Sequence, residues 1–317
     1  MKKILQIGAT ALSLAVVPFA VFASDWAPAG PIKLMIGYGA GGGADTQARL
    51  IAEGIEAQTG WSILPEQVTG NSGLNLLSKL KEEPANGTAI GMVVTEVLSY
   101  VLPAAPESGL TLEEFTPLTT VASFQLGLVA MANGKFNTWE AVKAAAEAGQ
   151  TIRIGAATSR QADMAYHFGR SAGVDFNIVE VKGGKAIMNG LVAGDLDIGW
   201  VAGAQSKSVK AGDMVNIARA IADPLRDSPN APAITDLGSS FLMEGHFLFV
   251  APGNMDPAAR SAIANAIANA LNDPETKAAG FVNRAFGGPS IVAGSDLDAL
   301  IAAQTKDSIA LLADVSN

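Results

Sequence analysis

Two loops rich in small residues are the parts of the sequence whose residue types and spacing could bind a charged group. The first loop runs from Gly37 to Asp45 and the second loop from Gly155 to Asp163, and both contain an Ala-Asp pair. Each joins a predicted strand to a predicted helix, so its backbone N–H groups would lie at the positive end of a helix dipole. Glycine lets an anion approach the backbone closely. The pattern predicts an anion clamp built from one loop in each of two domains.

The candidate binding residues of these loops are small or form hydrogen bonds. In the first loop and the residue after it they are Tyr38, Gly39, Ala40, Gly41, Gly42, Gly43, Ala44, Asp45 and Thr46. In the second loop they are Ala156, Ala157, Thr158, Ser159, Arg160 and Gln161. The alternative is that the glycines only form tight turns and the aspartates cap their helices. Arg49, four residues after Asp45, predicts a salt bridge along a helix.

The first loop also matches the Gly-x-Gly-x-x-Gly pattern of dinucleotide-binding domains, from Gly37 to Gly42. Those domains need an acidic residue at the end of the next strand. Glu66 has nearly the required spacing, but Pro65 makes the segment before it a poor buried strand. The motif is weak on its own, so a dinucleotide site is the less favoured alternative.

Composition excludes several kinds of chemistry. The 317 residues include no cysteine and only two histidines, His167 and His246, which excludes a disulfide framework, a thiolate nucleophile and a multi-histidine metal site. Neither a Gly-x-Ser-x-Gly nucleophile elbow nor a Gly-Lys-Ser/Thr phosphate motif occurs. The net charge of −9 argues against nucleic acid as a partner. We expect a protein that is not an enzyme and has no catalytic residue, metal or cofactor.

The N-terminal residues 1–23 have the layout of a secretory signal peptide. Lys2 and Lys3 precede an apolar stretch that ends at Val21-Phe22-Ala23, which resembles a cleavage site with small residues at its −3 and −1 positions. A membrane anchor is the alternative, but the apolar stretch is short for a span. No cysteine follows it, so we expect a periplasmic protein that is not a lipoprotein.

The elements that must position these loops alternate between strands and helices. Residues 32–36, 152–154, 178–181, 196–200 and 247–250 have strand patterns. Residues 45–58, 161–172, 186–193 and those after Pro257 have helical spacing, and Asp256 is a predicted helix cap. The alternation predicts an α/β class with mostly parallel sheets. The length predicts about two domains.

Several motifs in a fixed order resemble the tripartite tricarboxylate transporter receptors, the TctC or Bug family of periplasmic solute-binding proteins. The motifs are Pro31-Ile32-Lys33-Leu34, Gly39 to Asp45 with Ala48-Arg49, Pro84 to Thr88, Ala172 to Asp175, Val181-Lys182-Gly183-Gly184, Gly194 to Ile198, Lys210-Ala211-Gly212, Val250 to Gly253 and Asp256-Pro257. The resemblance covers nearly the whole chain after the signal peptide. The sequence departs from the family pattern at Ala40, where the family has proline, and at Arg160 and Gln161, where it has small residues.

The resemblance implies a Venus-flytrap fold of the periplasmic binding protein type II kind, with two α/β domains around a ligand cleft. We expect domain 1 to comprise residues 24–123 and 246–317, and domain 2 residues 124–245. The implied function is capture of a small carboxylate, a di- or tricarboxylate or an aromatic acid, by a monomer that delivers it to membrane subunits like TctA and TctB. Two alternatives stay open: a ligand sensor for a two-component system and an exported α/β enzyme.

Three further side chains, and Arg160 of the second loop, each have a binding role and an alternative. Thr95 and Glu96 follow a predicted strand and would reach the cleft, where Glu96 would accept a hydrogen bond from a ligand hydroxyl or amine unless it caps a helix. Trp200 would form a pocket wall or pack in the core. Arg160 would bind a distal carboxylate in bidentate fashion or lie exposed at the lip of the cleft.

Overall fold

The structure, a computed structural model, describes residues 26–316 of the chain. The expected signal peptide, residues 1–23, lies outside the described residues. Within residues 26–316, no helix has both the length and the apolar composition that crossing a membrane requires.

The helices and strands follow one another in three segments of the chain. The first segment contains β1 (Ile32–Ile36), α1 (Gly43–Thr59), β2 (Ile63–Gln67), α2 (Leu74–Leu80), β3 (Ala89–Val94), α3 (Leu102–Ala104) and β4 (Phe115–Ser123). The second contains β5 (Leu126–Met131), α4 (Trp139–Glu147), β6 (Ile152–Ala156), α5 (Ser159–Ala172), β7 (Phe176–Glu180), α6 (Gly184–Ala193), β8 (Ile198–Ala202), α7 (Ser206–Ala211) and β9 (Met214–Arg219). The third contains β10 (His246–Pro252), α8 (Pro257–Asn272), α9 (Lys277–Phe286) and α10 (Gly294–Val315).

The first sheet has the strand order β2-β1-β3-β10-β4. β1 pairs in parallel with β2 and β3, whereas β10 pairs antiparallel with β3 and β4. Every residue of β3 is buried, as expected for an uninterrupted apolar strand in the middle of a covered sheet. This sheet with α1, α2, α8 and α9 is called the first lobe.

The second sheet repeats this arrangement with the strand order β7-β6-β8-β5-β9. β6 pairs in parallel with β7 and β8, and β5 pairs antiparallel with β8 and β9. This sheet with α4, α5, α6 and α7 is called the second lobe. In each lobe the glycine-containing loop follows a parallel strand, β1 in the first and β6 in the second.

The chain passes between the lobes at Phe124 and again at Gly245. The Phe124 N–H donates to the Gly245 carbonyl at 2.8 Å, so the two crossings lie side by side. The expectation of mostly parallel sheets is wrong, because the strands next to the crossings, β4, β5 and β10, run antiparallel to their neighbours.

The segment that holds Pro65 is a strand after all. It forms β2, at the edge of the first sheet, where Pro65 pairs in register with Leu34 of β1. Proline has no N–H to donate, so an edge position with a neighbour on one side only accommodates it. The neighbouring Leu64 is 57% exposed, in keeping with an edge.

The C-terminal helix α10 contacts β4 of the first lobe and α5 of the second. Near its end, Asp314 Oδ2 lies 2.7 Å from His167 Nδ1 and 2.5 Å from Arg170 Nη2. The Ser240 N–H donates to His167 Nε2 at 3.1 Å, which leaves the His167 proton on Nδ1 to donate to Asp314. His167 is therefore engaged in holding α10 against the second lobe.

Candidate ligand-binding site

A cavity of about 280 Å³ lies between the lobes, where loops that follow β1, β3, β6, β7 and β8 meet. Ligand sites in α/β proteins form beyond the carboxyl ends of parallel strands, as here. The predicted residues that line the cavity are Tyr38, Gly39, Ala40, Gly42, Gly43, Ala44, Ala157, Thr158, Gln161 and Trp200. The predicted residues that do not line it are Gly41, Asp45, Thr46, Thr95, Ala156, Ser159 and Arg160.

The Asp45 carboxylate accepts hydrogen bonds from other residues of the first lobe and so holds the shape of the first loop. The Gly41 N–H donates to Asp45 Oδ2 at 2.7 Å, and Gln67 Nε2 donates to Oδ1. Arg49 Nε also donates to Oδ1, at 2.8 Å, which confirms the predicted salt bridge. Gly41 has a φ of +71°, a left-handed conformation that glycine adopts at little cost. Asp45 therefore fixes the turn that brings the start of α1 to the cavity.

The first turn of α1 presents backbone donors at the cavity. Gly43 and Ala44 line it, and N–H groups in the first turn of a helix have no acceptor within the helix. Thr46 is one turn further on and donates its N–H to the Gly42 carbonyl at 2.9 Å. The Gly42 N–H donates to the Gly39 carbonyl at 3.3 Å, so the donors that this turn leaves for a ligand are the N–H groups of Gly43 and Ala44.

The second loop uses several of its backbone donors internally. The Ala157 N–H donates to Gln161 Oε1 at 2.8 Å, and the Gln161 N–H donates to Thr158 Oγ1 at 3.3 Å. The Ser159 N–H donates to Ser72 Oγ of the first lobe at 2.9 Å. This loop has fewer donors to offer a ligand than the first loop, and it makes direct contact with the other lobe.

Arg160 is buried, 4% exposed, so an exposed position at the lip of the cleft is wrong. Its Nη1 donates to the Glu244 carbonyl at 2.9 Å, and its Nη2 donates to the Leu242 carbonyl at 3.4 Å. Nη1 also lies 3.8 Å from Glu96 Oε2. The guanidinium therefore connects α5 with the segment before β10 and with the first lobe. Its burial depends on segments far apart in the chain, which a local sequence pattern does not reveal.

Glu96 lines the cavity, whereas its neighbour Thr95 does not. Thr95 is fully buried, and its Oγ1 accepts the His246 N–H at 3.2 Å, which ties the end of β3 to the start of β10. Burial raises the pKa of the Glu96 carboxyl, an effect partly offset by the Arg160 guanidinium and the Thr158 hydroxyl. Burial and the nearby Glu96 also hold the pKa of the Tyr38 phenol well above its usual value.

Residues 182–185, which connect β7 with the first turn of α6, line the cavity and are here called the lysine loop. The loop contributes Lys182, Gly183, Gly184 and Lys185, and α6 adds Asn189. The α6 helix packs closely on its sheet because Gly199 leaves room for Ile187, where a Cβ would lie 2.4 Å from the Ile187 Cγ2. The same strand–glycine–helix pattern that marked the other loops is present here, and with its lysines it would have predicted this part of the site.

The lysine loop faces the first loop across the cleft. A Cβ added to Gly39 would lie 2.9 Å from the Lys182 carbonyl oxygen, and one added to Gly41 would lie 2.7 Å from Lys185 Nζ. Within residues 26–316, neither lysine lies within 4.0 Å of a carboxylate oxygen. The cavity thus combines unneutralised positive charge with the N-termini of α1 and α6, which together favour an anion.

Aromatic side chains supply much of the remaining wall. The cavity is lined by Trp200, Phe124 and Phe247. The rings of Phe124 and Phe247 pack edge to face, with their centroids 5.3 Å apart. Trp200 is fully buried, so it serves both as core and as wall. In residues 26–316 no group of three or more acidic or histidine side chains is placed to hold a metal ion. The site is suited to hold an organic anion with an apolar body.

Comparisons with known proteins agree with this geometry. Residues 47–314 match the family model described as "Tripartite tricarboxylate transporter family receptor". The protein BugT of Bordetella pertussis is 24% identical over 246 residues, which cover 74% of each chain. MatC of Rhodopseudomonas palustris, solved with bound malate, has a TM-score of 0.78 at 15% identity and covers 90% of this chain and 99% of its own. Rpa4515 of R. palustris, solved with adipate, has a TM-score of 0.79 at 18% identity, and the match covers 92% of this chain and 99% of its own. These similarities confirm the two-domain α/β fold.

Proposed function

The chain belongs to the tripartite tricarboxylate transporter receptor family, and from this membership and the cavity we propose that it captures a small carboxylate between its lobes. Receptors of this family bind small carboxylates, are periplasmic and work with the membrane components TctA and TctB. One observation carries the proposal: the N-termini of α1 and α6 and two lysines without a carboxylate partner among the described residues meet at one cavity. Such an arrangement favours a carboxylate over a neutral solute.

The division into domains is part of the proposal. Residues 24–123 with 246–317 would move as one body and residues 124–245 as the other, with the hinge at the paired crossings Phe124 and Gly245. The lobes touch at Gly39 and Lys182 and through the Ser159–Ser72 hydrogen bond, an arrangement suited to hold a ligand. A ligand that contacts both lobes binds this arrangement more tightly than an open one, and so shifts the population toward it.

Delivery and location complete the proposed role. The chain would leave the cytoplasm on the signal peptide at residues 1–23, act as a soluble periplasmic monomer and pass its ligand to transporter subunits like TctA and TctB. The malate and adipate in the related structures are acids of the size expected for such cargo. Neither a catalytic role nor a bound cofactor is part of this proposal.

Lys185→Ala is expected to weaken binding of a carboxylate about tenfold. Lys185 is exposed at the rim, so losing a charge-assisted contact there costs about 1.5 kcal/mol, the lower end of the usual range. The measurement is calorimetric titration with an acid panel: butanoate, hexanoate, their ω-hydroxy and ω-amino derivatives, succinate and adipate. The amides of butanoate and hexanoate serve as neutral analogues.

Lys306→Ala on α10 is the matched control, because it removes the same charge outside the cavity lining. We expect the Lys306 variant to bind each acid with the affinity of the wild type, and both proteins to bind the amides much more weakly than the corresponding acids. Equal affinity for acids and amides, or the same affinity in both lysine variants, would contradict the proposed carboxylate site.

A further inference from the structure

Glu96 is an acidic side chain placed inside a cavity that otherwise favours anions. It is 1% exposed and lines the cavity at the end of β3. Its Oε2 has no hydrogen-bond partner among residues 26–316, and the nearest cation, Arg160 Nη1, is 3.8 Å away. A buried carboxylate oxygen without a hydrogen bond is costly and uncommon in native proteins, so this oxygen is available for a donor that enters the cavity.

Two other buried polar atoms in the lining are likewise unpaired among the described residues. They are the Tyr38 hydroxyl and the Trp200 indole N–H. The Tyr38 hydroxyl lies close enough to Glu96 for the carboxylate to raise the pKa of the phenol. Glu96 and Tyr38 therefore form a polar cluster, and a ligand group that donates hydrogen bonds would satisfy it, because both oxygens can accept one.

The polar cluster and the lysines belong to different parts of the lining. Glu96 contacts the second loop through Thr158 and Arg160, whereas the lysine loop contacts the first loop at Gly39 and Gly41. No ion pair joins Glu96 to Lys182 or Lys185 in the part of the chain that the structure describes. Apolar side chains, Val94, Phe124 and Phe247, make up much of the rest. The cavity is thus bipolar, with a cationic region, an acidic group and an apolar wall.

We propose that the ligand is a bifunctional acid: its carboxylate meets the lysine loop and the N-terminus of α1, and a hydroxyl or protonated amine at its other end donates to Glu96. This rests on the proposed function, which it narrows from carboxylates in general to hydroxy and amino acids with an apolar body. A second carboxylate at the distal end would face Glu96, and like charges at close range repel. An unsubstituted monoacid would leave the Glu96 oxygen unpaired.

Titration of the wild type with the acid panel tests the inference directly. For at least one chain length, we expect the ω-hydroxy or ω-amino acid to bind about tenfold more tightly than the plain monoacid and the diacid of the same length. Tighter binding of the ω-amino acid would identify the ligand group that donates to Glu96 as a protonated amine. Tighter binding of the ω-hydroxy acid would identify it as a hydroxyl. Both results support the inference.

Glu96→Gln tests whether Glu96 is the source of that preference. The amide keeps the size of the side chain and removes its negative charge, so we expect the advantage of the ω-amino acid to fall below about threefold and adipate to bind relatively better. Glu140→Gln, exposed on α4, is the matched control and should keep the preference of the wild type.

The two levels of the proposal fail in different ways. If at neither chain length a substituted acid binds the wild type more tightly than both the plain monoacid and the diacid of that length, the inference is overturned and the carboxylate function stands. If no member of the acid panel binds, both are overturned. The wild-type titration decides the matter even if the Glu96 variant fails to fold.

Discussion

Gly39→Val is expected to weaken carboxylate binding about 100-fold while the protein remains folded. A Cβ at Gly39 would lie 2.9 Å from the Lys182 carbonyl oxygen in the opposite lobe, and a backbone atom cannot rotate away as a side chain would. The clash arises only when the lobes are together, so the variant should favour separated lobes. Overpacking costs about 1–3 kcal/mol, and its upper end corresponds to about 100-fold in affinity. Calorimetric titration with the acid panel measures the loss.

Gly30→Val is the matched control for this prediction. A Cβ at Gly30 meets no atom within 4 Å, so the same change there should leave affinity within about twofold of the wild type. Thermal unfolding without ligand should be similar for both variants. Binding by the Gly39 variant at wild-type affinity would show that the lobes do not come together around the ligand as proposed.

Arg160→Ala is expected to lower the free energy of unfolding by about 3–5 kcal/mol. Removing one partner of a buried ion pair leaves the other charge without compensation, and Glu96 would be that charge. The Leu242 and Glu244 carbonyls would lose their donor as well. Urea denaturation followed by circular dichroism measures the change. Arg284→Ala, at an exposed arginine, is the control and should cost less than about 0.5 kcal/mol.

A double variant identifies the cause of that loss. Arg160→Ala combined with Glu96→Gln removes the stranded charge, so it should be more stable than Arg160→Ala alone. If the double variant is no more stable, the loss would come from the carbonyl contacts and not from Glu96. If Arg160→Ala unfolds at the same urea concentration as the wild type, the buried pair has no role in stability.

The local elements of this fold could be predicted from the sequence because their signals are local. Apolar alternation placed β1, and the spacing of Ala48, Ile51 and Ile55 placed α1, which begins at Gly43, two residues before the predicted start. The pairing of the crossing strands could not be predicted in this way. β10 inserts between β3 and β4, and no local pattern in residues 246–252 specifies partners so far away in the chain.

The site residues likewise differ in whether the local sequence determines their position. The first loop and Trp200 line the cavity because a glycine-rich turn after a strand, or an apolar strand residue, determines its own position. Glu96 and Arg160 depend on contacts between lobes, so their burial became visible only in three dimensions. The lysine loop had a recognisable local pattern, but Lys182 and Lys185 were not among the predicted site residues. Whether the lining residues bind a ligand stays a prediction.

We expect a small carboxylate to close the two lobes on each other. The chain has no cysteine, so spin labels can be attached to cysteines introduced at exposed positions, Leu64 on β2 and Val192 on α6. The measurement is the label-to-label distance by pulsed electron paramagnetic resonance, without ligand, with each acid of the panel and with the amides. We predict that an acid narrows the distance distribution and shifts it, and that the amides leave it unchanged. An unchanged distribution at saturating acid, or the same shift with an amide, would contradict closure by a carboxylate.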